Sequence, residues 1–431
     1  MSAADPASGS HGRLAPRENG GVPRVLIVAA TTGYQTAAFA EAARQLGVDV
    51  LLATDRCHRL EDPWRDGAIA VRFEDPEASV AALRQHPRFD AVLAVGDRPL
   101  AVAAAYASQA GLPFHPPEAV RAARSKHLAR ERFREAGLPV PRFHRIPLTA
   151  DAEAEAARAP YPCVLKPLCL SGSRGVIRAD TPGEFRAAFR RIAAILDRPE
   201  IRRYRDESDR FIQVESYIPG REFSVEGLMT AGRLDILAVF EKPDPLEGPF
   251  FEETLYVTPP RVDVSRVRAA AVRAVHALGL AHGPVHAEFR MNESDVYPLE
   301  VAARPIGGLC ARALRFPGGQ TLEHIILRHA LGENLSGLVP ADAASGVMMI
   351  PIGAGGIYRG VEGEHAAAAV PGIFDVAITA KQGQEFEPLP EGRSYLGFLF
   401  AAGADSGAVE ASLREAHGRL RFSWAEALRT L

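Results

Sequence analysis

"HAEFRMNESDVYPLEVAARPIGG", residues 286–308, sets two glutamates in apolar, strand-like segments on either side of a short polar turn. If a turn of three or five residues is centred on Ser294, Glu288 lies directly across from Glu300, with the two Cβ atoms ~4.5–5.5 Å apart. A four-residue loop would instead put the two carboxylates on opposite faces of the hairpin. The alternation of side chains along a strand also places Arg304 on the face of Glu300.

Two facing carboxylates destabilise a sheet unless a cation neutralises them. A bound divalent cation does so, and ligands that are oxygen atoms only favour Mg²⁺ or Mn²⁺. The stretch therefore predicts a metal site formed by Glu288 and Glu300. Two solvated strand carboxylates without a metal are the alternative interpretation.

The composition excludes several classes of protein. The 431 residues suffice for two to four domains. A net charge of −3 argues against a nucleic-acid-binding protein, and no apolar run reaches the ~18 residues of a membrane span. Residues 1–22 lack the apolar segment of a signal peptide and are predicted to be a disordered tail. The cysteines form no C-x-x-C pair, which favours a reduced, cytoplasmic setting; they are Cys57, Cys163, Cys169 and Cys310.

Lysine is rare in this chain, although Lys and Arg together number 50. Where arginine serves as the general surface cation, a retained lysine indicates a position that needs a compact ammonium, for example against a phosphate. Chance is the alternative. The lysines are Lys126, Lys166, Lys242 and Lys381.

The order of apolar runs predicts an α/β protein. "RVLIVAA" (24–30), "VDVLLATD" (48–55) and "FDAVLAVGD" (89–97) alternate with helical patterns, which predicts a small Rossmann-like domain over 23–120. A helix from about 121 carries Lys126. A partly β region follows after about 340, with an amphipathic helix near 407–418.

Two loops have compositions suited to a nucleotide. In "KPLCLSGSRG", Lys166 ends an apolar strand and the Gly/Ser loop 171–175 follows; its glycines let backbone N–H groups approach phosphate oxygens, and its serines add donors. It is not a Walker loop, since no lysine here follows a glycine. "QVESYIPGREF" (213–223) is a strand entering a Pro-Gly turn, where exposed backbone groups can bond a purine edge. Alone, a Gly/Ser loop of this kind is more often a plain turn, and the second stretch alone is merely a hairpin.

Together, in this order, these pieces resemble the ATP-grasp superfamily over roughly residues 24–335. The resemblance implies an α/β (α+β) chain with a pre-ATP-grasp domain at 23–120 and an ATP-grasp domain at 121–340. It places a small lobe at about 140–212, a hinge at 213–222, and a C-terminal lobe at 341–431. It also implies ATP and Mg²⁺ (or Mn²⁺) as cofactors. The implied ATP contacts are Lys126, Lys166, Ser171, Gly172, Ser173, Gly175, Glu215, Ile218 and Glu222, and the implied metal ligands are Glu288 and Glu300.

The motif E-x-A-A-R-x-x-G-G (300–308) is similar to that of L-amino acid ligases and related carboxylate–amine ligases. Ala302 and Ser125 depart from the family pattern, which commonly has Asn and Asp there. The resemblance implies an ATP-dependent ligase that activates a small carboxylate as an acyl phosphate and joins it to an amine. Arg304 and Lys242 are the candidate catalytic cations.

Several alternatives stay open from the sequence. They are a carboxylase or acyl-phosphate-forming kinase on the same scaffold, a nucleotide-binding protein without catalysis, and a dinucleotide-binding oxidoreductase. The predicted partners are small molecules, neither nucleic acid nor membrane, and a homodimer is open. The region after 340 is expected either to cap the site or to form a dimer interface.

Overall fold

The computed structural model describes residues 21–30, 35–55, 67–168, 170–204, 206–392 and 394–426. Residues 1–20 of the predicted tail, together with Cys57 and Cys169, lie outside these ranges. Within them, no helix is both long enough and apolar enough to cross a bilayer. Helices and several sheets alternate along the chain, which confirms the predicted α/β class.

The N-terminal part contains a parallel sheet of four strands in the order β3-β2-β1-β4. Its strands are short apolar runs, and the buried residues of β1 and β4 are as continuous as the sequence predicts for a parallel sheet covered on both faces. In chain order its elements are β1 (Arg24–Ala29), α1 (Gln35–Leu46), β2 (Asp49–Thr54), β3 (Ile69–Ala70), α2 (Pro76–Leu83), β4 (Ala91–Val95) and α3 (Leu100–Ala110).

The single helix predicted from about 121 is wrong, because the structure has two: α4 (Pro117–Arg124) and α5 (Lys126–Glu135). Ser125 separates them with an extended backbone (φ −101°, ψ 109°), and its Oγ accepts a hydrogen bond from the Leu128 N–H at 3.3 Å. A serine that caps a helix in this way cannot also continue the preceding one. Lys126 is therefore the first residue of α5.

A second antiparallel sheet forms a small lobe, with strand order β5-β8-β6-β7. Helix α7 packs on this sheet through residues that recur at helical spacing, such as Phe185, Phe189 and Ile192. The elements of the lobe are β5 (Phe143–Pro147), α6 (Ala152–Arg158), β6 (Cys163–Pro167), β7 (Ile177–Ala179), α7 (Pro182–Leu196), α8 (Pro199–Arg202), a 3₁₀ turn (Glu207–Arg210) and β8 (Phe211–Ser216).

The largest sheet has eight strands in the order β13-β12-β9-β10-β11-β16-β20-β18. Its first part and the elements around it are β9 (Arg221–Thr230), β10 (Arg233–Lys242), β11 (Leu255–Thr258), α9 (Ser265–Leu278), β12 (Gly283–Met291), β13 (Val296–Ala302), 3₁₀ turns at Cys310–Ala313 and Pro317–Gly319, β14 (Arg315–Phe316), β15 (Gln320–Thr321) and α10 (Leu322–Ala330).

The C-terminal region continues this same sheet. Leu255 lies opposite Met348 and Thr258 opposite Ser345, so hydrogen-bonded strands cross the boundary predicted at 340. A separate three-stranded sheet in this region has the order β19-β17-β21. The elements are β16 (Ala344–Ile350), β17 (Gly356–Glu362), α11 (Glu364–Ala368), β18 (Ile373–Ile378), β19 (Glu385–Phe386), β20 (Gly397–Gly403), α12 (Ser406–Arg419) and β21 (Arg421–Ala425).

One hydrophobic cluster joins the N-terminal part to the large sheet. Val102 of α3 and Ala119 of α4 are buried together with Val267 and Ala271 of α9 and Val285 of β12. Burial of such side chains stabilises their contact by ~25 cal/mol per Å² of apolar surface. The N-terminal sheet is therefore held firmly against the large sheet that carries Glu288.

Candidate active site

A cavity of about 420 Å³ lies between the N-terminal parallel sheet, the sheet of the small lobe and the eight-stranded sheet. Most of the residues that the sequence predicts for the site line it: Lys126, Lys166, Ser171, Gly172, Ser173, Glu215, Ile218, Glu222, Glu288, Glu300 and Arg304. Lys242 is buried and donates to Glu288, and Gly175, the last residue of the Gly/Ser loop, lies against Pro167. The structure thus brings together residues that are up to 178 positions apart, between Lys126 and Arg304 (304 − 126).

Glu288 and Glu300 are cross-strand partners, as the sequence predicts. The loop length predicted for this pairing is wrong, because residues 292–295 form a four-residue loop between the paired Met291 and Val296. The register shifts by one at a β-bulge, since Phe289 pairs with Pro298 but Glu288 pairs with Glu300, which leaves Leu299 as the extra residue. The bulge returns Glu300 to the face of Glu288.

The Glu288 carboxylate lies among buried ionic groups. Lys242 Nζ donates to Glu222 Oε1 at 2.7 Å, to Glu253 Oε1 at 2.5 Å and to Glu288 Oε1 at 3.1 Å. Burial alone would lower the pKa of Lys242, but these three carboxylates raise it well above its ordinary value. Lys242 therefore stays protonated and neutralises part of an acidic cluster.

The carboxyl group of Glu253 has a raised pKa. Burial and the nearby Glu288 raise its pKa to about 7, although Lys242 opposes the shift. Tyr256 donates its hydroxyl hydrogen to Glu253 Oε2 at 2.6 Å, and both residues line the cavity.

His286 supports Glu288 from the same strand. Its Nδ1 lies 2.5 Å from Glu226 Oε1 and its Nε2 lies 3.2 Å from Glu288 Oε1. Burial lowers the pKa of His286, but Glu226 and Glu288 raise it to about 10. The imidazolium thus orients the carboxylate of Glu288.

The two predicted phosphate lysines, Lys126 and Lys166, both line the cavity. Lys126 Nζ donates to the Leu170 carbonyl at 2.7 Å and lies 3.7 Å from Glu300 Oε2. Lys166 Nζ donates to Glu215 Oε2 at 2.5 Å. Burial lowers the pKa of Lys166, although Glu215 opposes the shift.

Glu215 lines the cavity, but protein groups occupy its carboxylate. Arg130 donates to both of its oxygens at 2.8 and 3.3 Å, and Gln213 Nε2 donates to Oε1 at 2.7 Å. Together with Lys166 these donors fill the carboxylate, so its contribution is to hold Lys166 in place. Burial raises the pKa of Glu215, but Arg130 and Lys166 lower it far below its ordinary value.

Arg290 fixes the segment that leads from β8 to β9, which the sequence predicts to be a hinge. It donates to Glu222 Oε2 at 2.9 Å and to the carbonyls of Ile218 at 2.8 Å and Leu246 at 2.5 Å. Val164, Val176 and Phe251 line the neighbouring wall of the cavity. The hinge side of the cavity is therefore apolar, with fixed polar groups at its rim.

The Gly/Ser loop turns back on itself and rests on the C-terminal region. Gly172 (φ 65°) and Ser173 (φ 55°) are both left-handed, and a Cβ on Gly175 (φ 73°) would lie 2.7 Å from Pro167 Cγ. The Gly175 N–H donates to the Pro390 carbonyl at 2.9 Å, and Arg174 Nε donates to the Glu391 carbonyl at 2.9 Å. The region after 340 also lines the cavity through Met349, Ser394, Tyr395 and Phe398.

Arg304 forms a two-pronged ion pair with the N-terminal part of the chain. Its Nε donates to Asp97 Oδ1 at 2.7 Å and its Nη2 to Asp97 Oδ2 at 3.1 Å. Nη1 donates to the Pro305 carbonyl at 3.0 Å. Arg304 thus lies at the junction of two sheets, with its charge directed at the cavity.

Two regions of the chain match models of known protein families. Residues 159–313 match the model of the ATP-grasp domain, and residues 348–425 match that of the L-amino acid ligase C-terminal domain 2. Residues 159–313 of this chain therefore form an ATP-grasp domain.

Individual ATP-grasp proteins resemble this chain at low identity. The D-alanine–D-alanine ligase B of Chromobacterium violaceum is 30% identical over 180 residues, 40% of this chain and 54% of that protein. The alanine–anticapsin ligase of Bacillus subtilis is 28% identical over 207 residues, 44% of this chain and 43% of that protein. The chain spans about half the length of the curated relatives it matches.

Among solved ATP-grasp structures, the L-amino acid ligase of Bacillus licheniformis has a TM-score of 0.75. The match covers 94% of this chain and 99% of that one at 24% identity. It shows the same fold over nearly the whole chain, including the part after 340.

Sequence reasoning missed several residues that line this cavity or hold its lining residues: Asp97, Arg130, Glu226 and Arg290. Arg130 and Glu226 sit in unremarkable helix and strand patterns, so no local signal distinguishes them. Asp97 does carry one, since it lies two residues beyond the end of the buried strand β4, where polar residues of a parallel sheet meet ligands.

Proposed function

We propose that this chain is an ATP- and Mg²⁺-dependent carboxylate–amine ligase that forms an amide bond through an acyl phosphate, with an amino acid as one substrate. The observation that carries the proposal is the pairing of Glu288 with Glu300 in a cavity shared by Lys126, Lys166 and Arg304. The match of residues 348–425 to an L-amino acid ligase domain favours this reaction over a carboxylase on the same scaffold.

The acidic residues fit a divalent cation. Glu222, Glu253 and Glu288 each offer an oxygen within 4.8 Å of the others, and Glu300 faces Glu288. Mg²⁺ prefers such oxygen ligands. Lys242 already places a cation among three of these carboxylates, so we infer that it changes partners when Mg²⁺ binds. Bound Mg²⁺ would screen the charge of the transferring phosphoryl oxygens.

We assign the hinge side of the cavity to the nucleotide. Val164, Val176 and Phe251 suit the faces of a purine. The Ile218 carbonyl is occupied by Arg290, so we propose that the Ile218 N–H makes the adenine contact. Glu222 stays our candidate for the ribose hydroxyls, and Glu215 acts by fixing Lys166.

The first step moves the γ-phosphoryl group of ATP to a substrate carboxylate, which gives ADP and an acyl phosphate. Catalysis of this step depends on positioning and on cations around the transferred group. Lys126 and Lys166 can exchange their present partners, the Leu170 carbonyl and Glu215, for phosphate oxygens. Arg304 can hold the carboxylate that is phosphorylated.

In the second step an amine attacks the acyl carbon, phosphate leaves, and the amine loses a proton. An acyl phosphate is hydrolysed if water reaches it, so the cavity must be closed during the reaction. The Gly/Ser loop lines the cavity, and its Gly175 and Arg174 donate to the carbonyls of Pro390 and Glu391. We propose that the region after 340 acts as a cap, and that the reaction takes place in the cytoplasm.

The proposal is tested by measuring phosphate release from ATP and Mg²⁺ with the standard amino acids, singly and in pairs. Release that needs particular amino acids, and that is lost in Glu300→Gln, is the expected result. Glu293→Gln is the matched control, because Glu293 is an exposed carboxylate in the loop of the same hairpin. Tight ATP binding without amino-acid-dependent release would contradict the ligase and favour a nucleotide-binding protein.

A further inference from the structure

Asp97 occupies the ligand-binding edge of the N-terminal sheet. In the order β3-β2-β1-β4, the chain leaves β1 for β2 on one side, while β4 is added on the other. Ligands of open parallel sheets bind outside the carboxyl ends of the strands where the order reverses, which here is the crevice between β1 and β4. Ala30 follows β1, Gly96 and Asp97 follow β4, and all three line the cavity.

The charged group at this crevice is the carboxylate of Asp97, and it is already hydrogen-bonded to Arg304. Asp97 accepts two hydrogen bonds along one edge of the Arg304 guanidinium, at 2.7 and 3.1 Å. The Asp97 side chain is 29% exposed and that of Arg304 is 11% exposed, so water screens the pair only in part. Charge-assisted, two-pronged pairs of this kind fix the plane of the guanidinium as well as its position.

The hydrogen-bond capacity of Arg304 is not used up. A guanidinium has five N–H groups. Two are donated to Asp97 and one to the Pro305 carbonyl. Among the residues that the structure describes, the other two, one on each Nη, have no acceptor, and Arg304 lines the cavity.

We propose that Asp97 is a positioning residue that holds Arg304 so that its two remaining N–H groups receive the carboxylate of the substrate. This inference rests on the proposed ligase function. It gives the N-terminal domain a part in substrate recognition, since the residue that binds the carboxylate is fixed from that domain. The alternative is that Asp97 competes with the substrate for Arg304, and the two ideas predict opposite effects on substrate affinity.

The experiment compares the wild-type protein with Asp97→Asn and Asp97→Glu, with each standard amino acid as carboxylate and hydroxylamine as the amine. Hydroxylamine attacks the acyl phosphate, phosphate leaves, and the hydroxamate formed is measured. Asparagine offers one acceptor and turns an amide NH₂ toward the second guanidinium N–H. We expect Asp97→Asn to raise the KM for the amino acid about tenfold to a hundredfold, with the KM for ATP changed less than about twofold. Asp97→Glu keeps the charge and should restore part of the affinity.

Asp342→Asn is the matched control. Asp342 accepts from Arg315 Nε and Nη2 at 2.8 Å each, the same two-pronged geometry, and neither residue lines the cavity. It should leave both KM values unchanged.

Three results would overturn the inference. A lower KM for the amino acid in Asp97→Asn would show competition. An unchanged KM with a lower melting temperature would show a merely structural ion pair. If Asp97→Asn does not fold, Asp97→Glu decides, since wild-type KM in that variant contradicts a role that depends on the geometry of the carboxylate. Failure of the ligase proposal is seen separately, as absence of hydroxamate in the wild-type protein, and the inference falls with it.

Discussion

The ammonium of Lys242 lies 3.1 Å from the carboxylate of Glu288, at the centre of a cluster that two further glutamates complete. The Lys242 side chain is 2% exposed, so the cluster holds a cation that solvent does not screen. Two of these carboxylates, Glu253 and Glu288, are also proposed ligands of Mg²⁺. The stability of the metal-free protein and the affinity of these carboxylates for metal therefore both depend on Lys242.

Lys242→Met should destabilise the protein strongly, because it leaves buried carboxylates without a counter-charge. We expect a loss of about 3–5 kcal/mol in the free energy of unfolding, measured by urea denaturation. Added Mg²⁺ should restore part of the loss, since a divalent cation can take the place of the ammonium. Lys381→Met, at an exposed turn, should leave the free energy of unfolding and its response to Mg²⁺ as in the wild-type protein. Equal stability of the two variants would show that the cluster needs no cation.

Acid should weaken the folded state through Glu215. Burial raises its pKa, but Arg130 and Lys166 lower it far below the ordinary value of 4.5. The unfolded chain therefore binds this proton at a higher pH than the folded protein, so the stability from Glu215 is complete above about pH 4.5 and is lost as the pH falls below it.

The check is the pH dependence of the unfolding free energy between about pH 3 and 6. Glu215→Gln should lower stability at pH 6 and flatten the acid slope, because the titrating group is gone. Glu135→Gln, at an exposed position of α5, is the control and should keep the wild-type slope. An unchanged slope in Glu215→Gln would contradict the assignment.

Gly175→Ala should weaken ATP binding, in addition to the stability lost by placing an alanine in a left-handed backbone conformation. The added Cβ would lie 2.7 Å from Pro167 Cγ, so the Gly/Ser loop or the strand before it must move. Gly47→Ala is the control, since Gly47 has a similar φ of 70° but nothing within 4 Å of the added Cβ. That control should cost only the ~1 kcal/mol of a left-handed alanine. A higher KM for ATP in Gly175→Ala alone is expected, and equal KM values would exclude a nucleotide role for the loop.

Arg174→Gln should uncouple ATP hydrolysis from amide formation. Arg174 donates to the Glu391 carbonyl at 2.9 Å and to Glu200 Oε1 at 2.9 Å, and so fastens the loop to the C-terminal region. A loosened loop admits water to the acyl phosphate, so more phosphate should be released per amide formed. Arg202→Gln, which breaks an exposed ion pair with Asp197, is the control. A ratio of one in both variants would mean that closure does not depend on Arg174.

The parts of the fold that repeat a local pattern could be predicted from the sequence, and the parts set by one residue could not. The alternation of buried strands and helices in residues 24–110 follows from apolar periodicity. The bulge at Leu299 does not, because nothing in "VYPLEVA" distinguishes an extra residue from a regular strand. Ser125 likewise divides α4 from α5 through one side-chain hydrogen bond.

The candidate site residues divide in the same way: those in local motifs could be predicted from the sequence, and those defined by distant partners could not. Glu288, Glu300 and Lys166 stand in motifs that can be recognised within ten or fifteen residues. Arg130 and Asp97 act through partners 85 and 207 positions away, Glu215 and Arg304, and such pairs are created only by tertiary packing.

The hydrogen bonds between β11 and β16 limit how this chain could exchange parts with its relatives. A recombination point at residue 340 would separate two central strands of one sheet, and the donor's segment would have to supply a strand of matching register and a side chain for the wall that Met349 now forms. Shuffling at that point would therefore yield proteins with an open sheet edge, prone to aggregate, far more often than ligases with a new specificity.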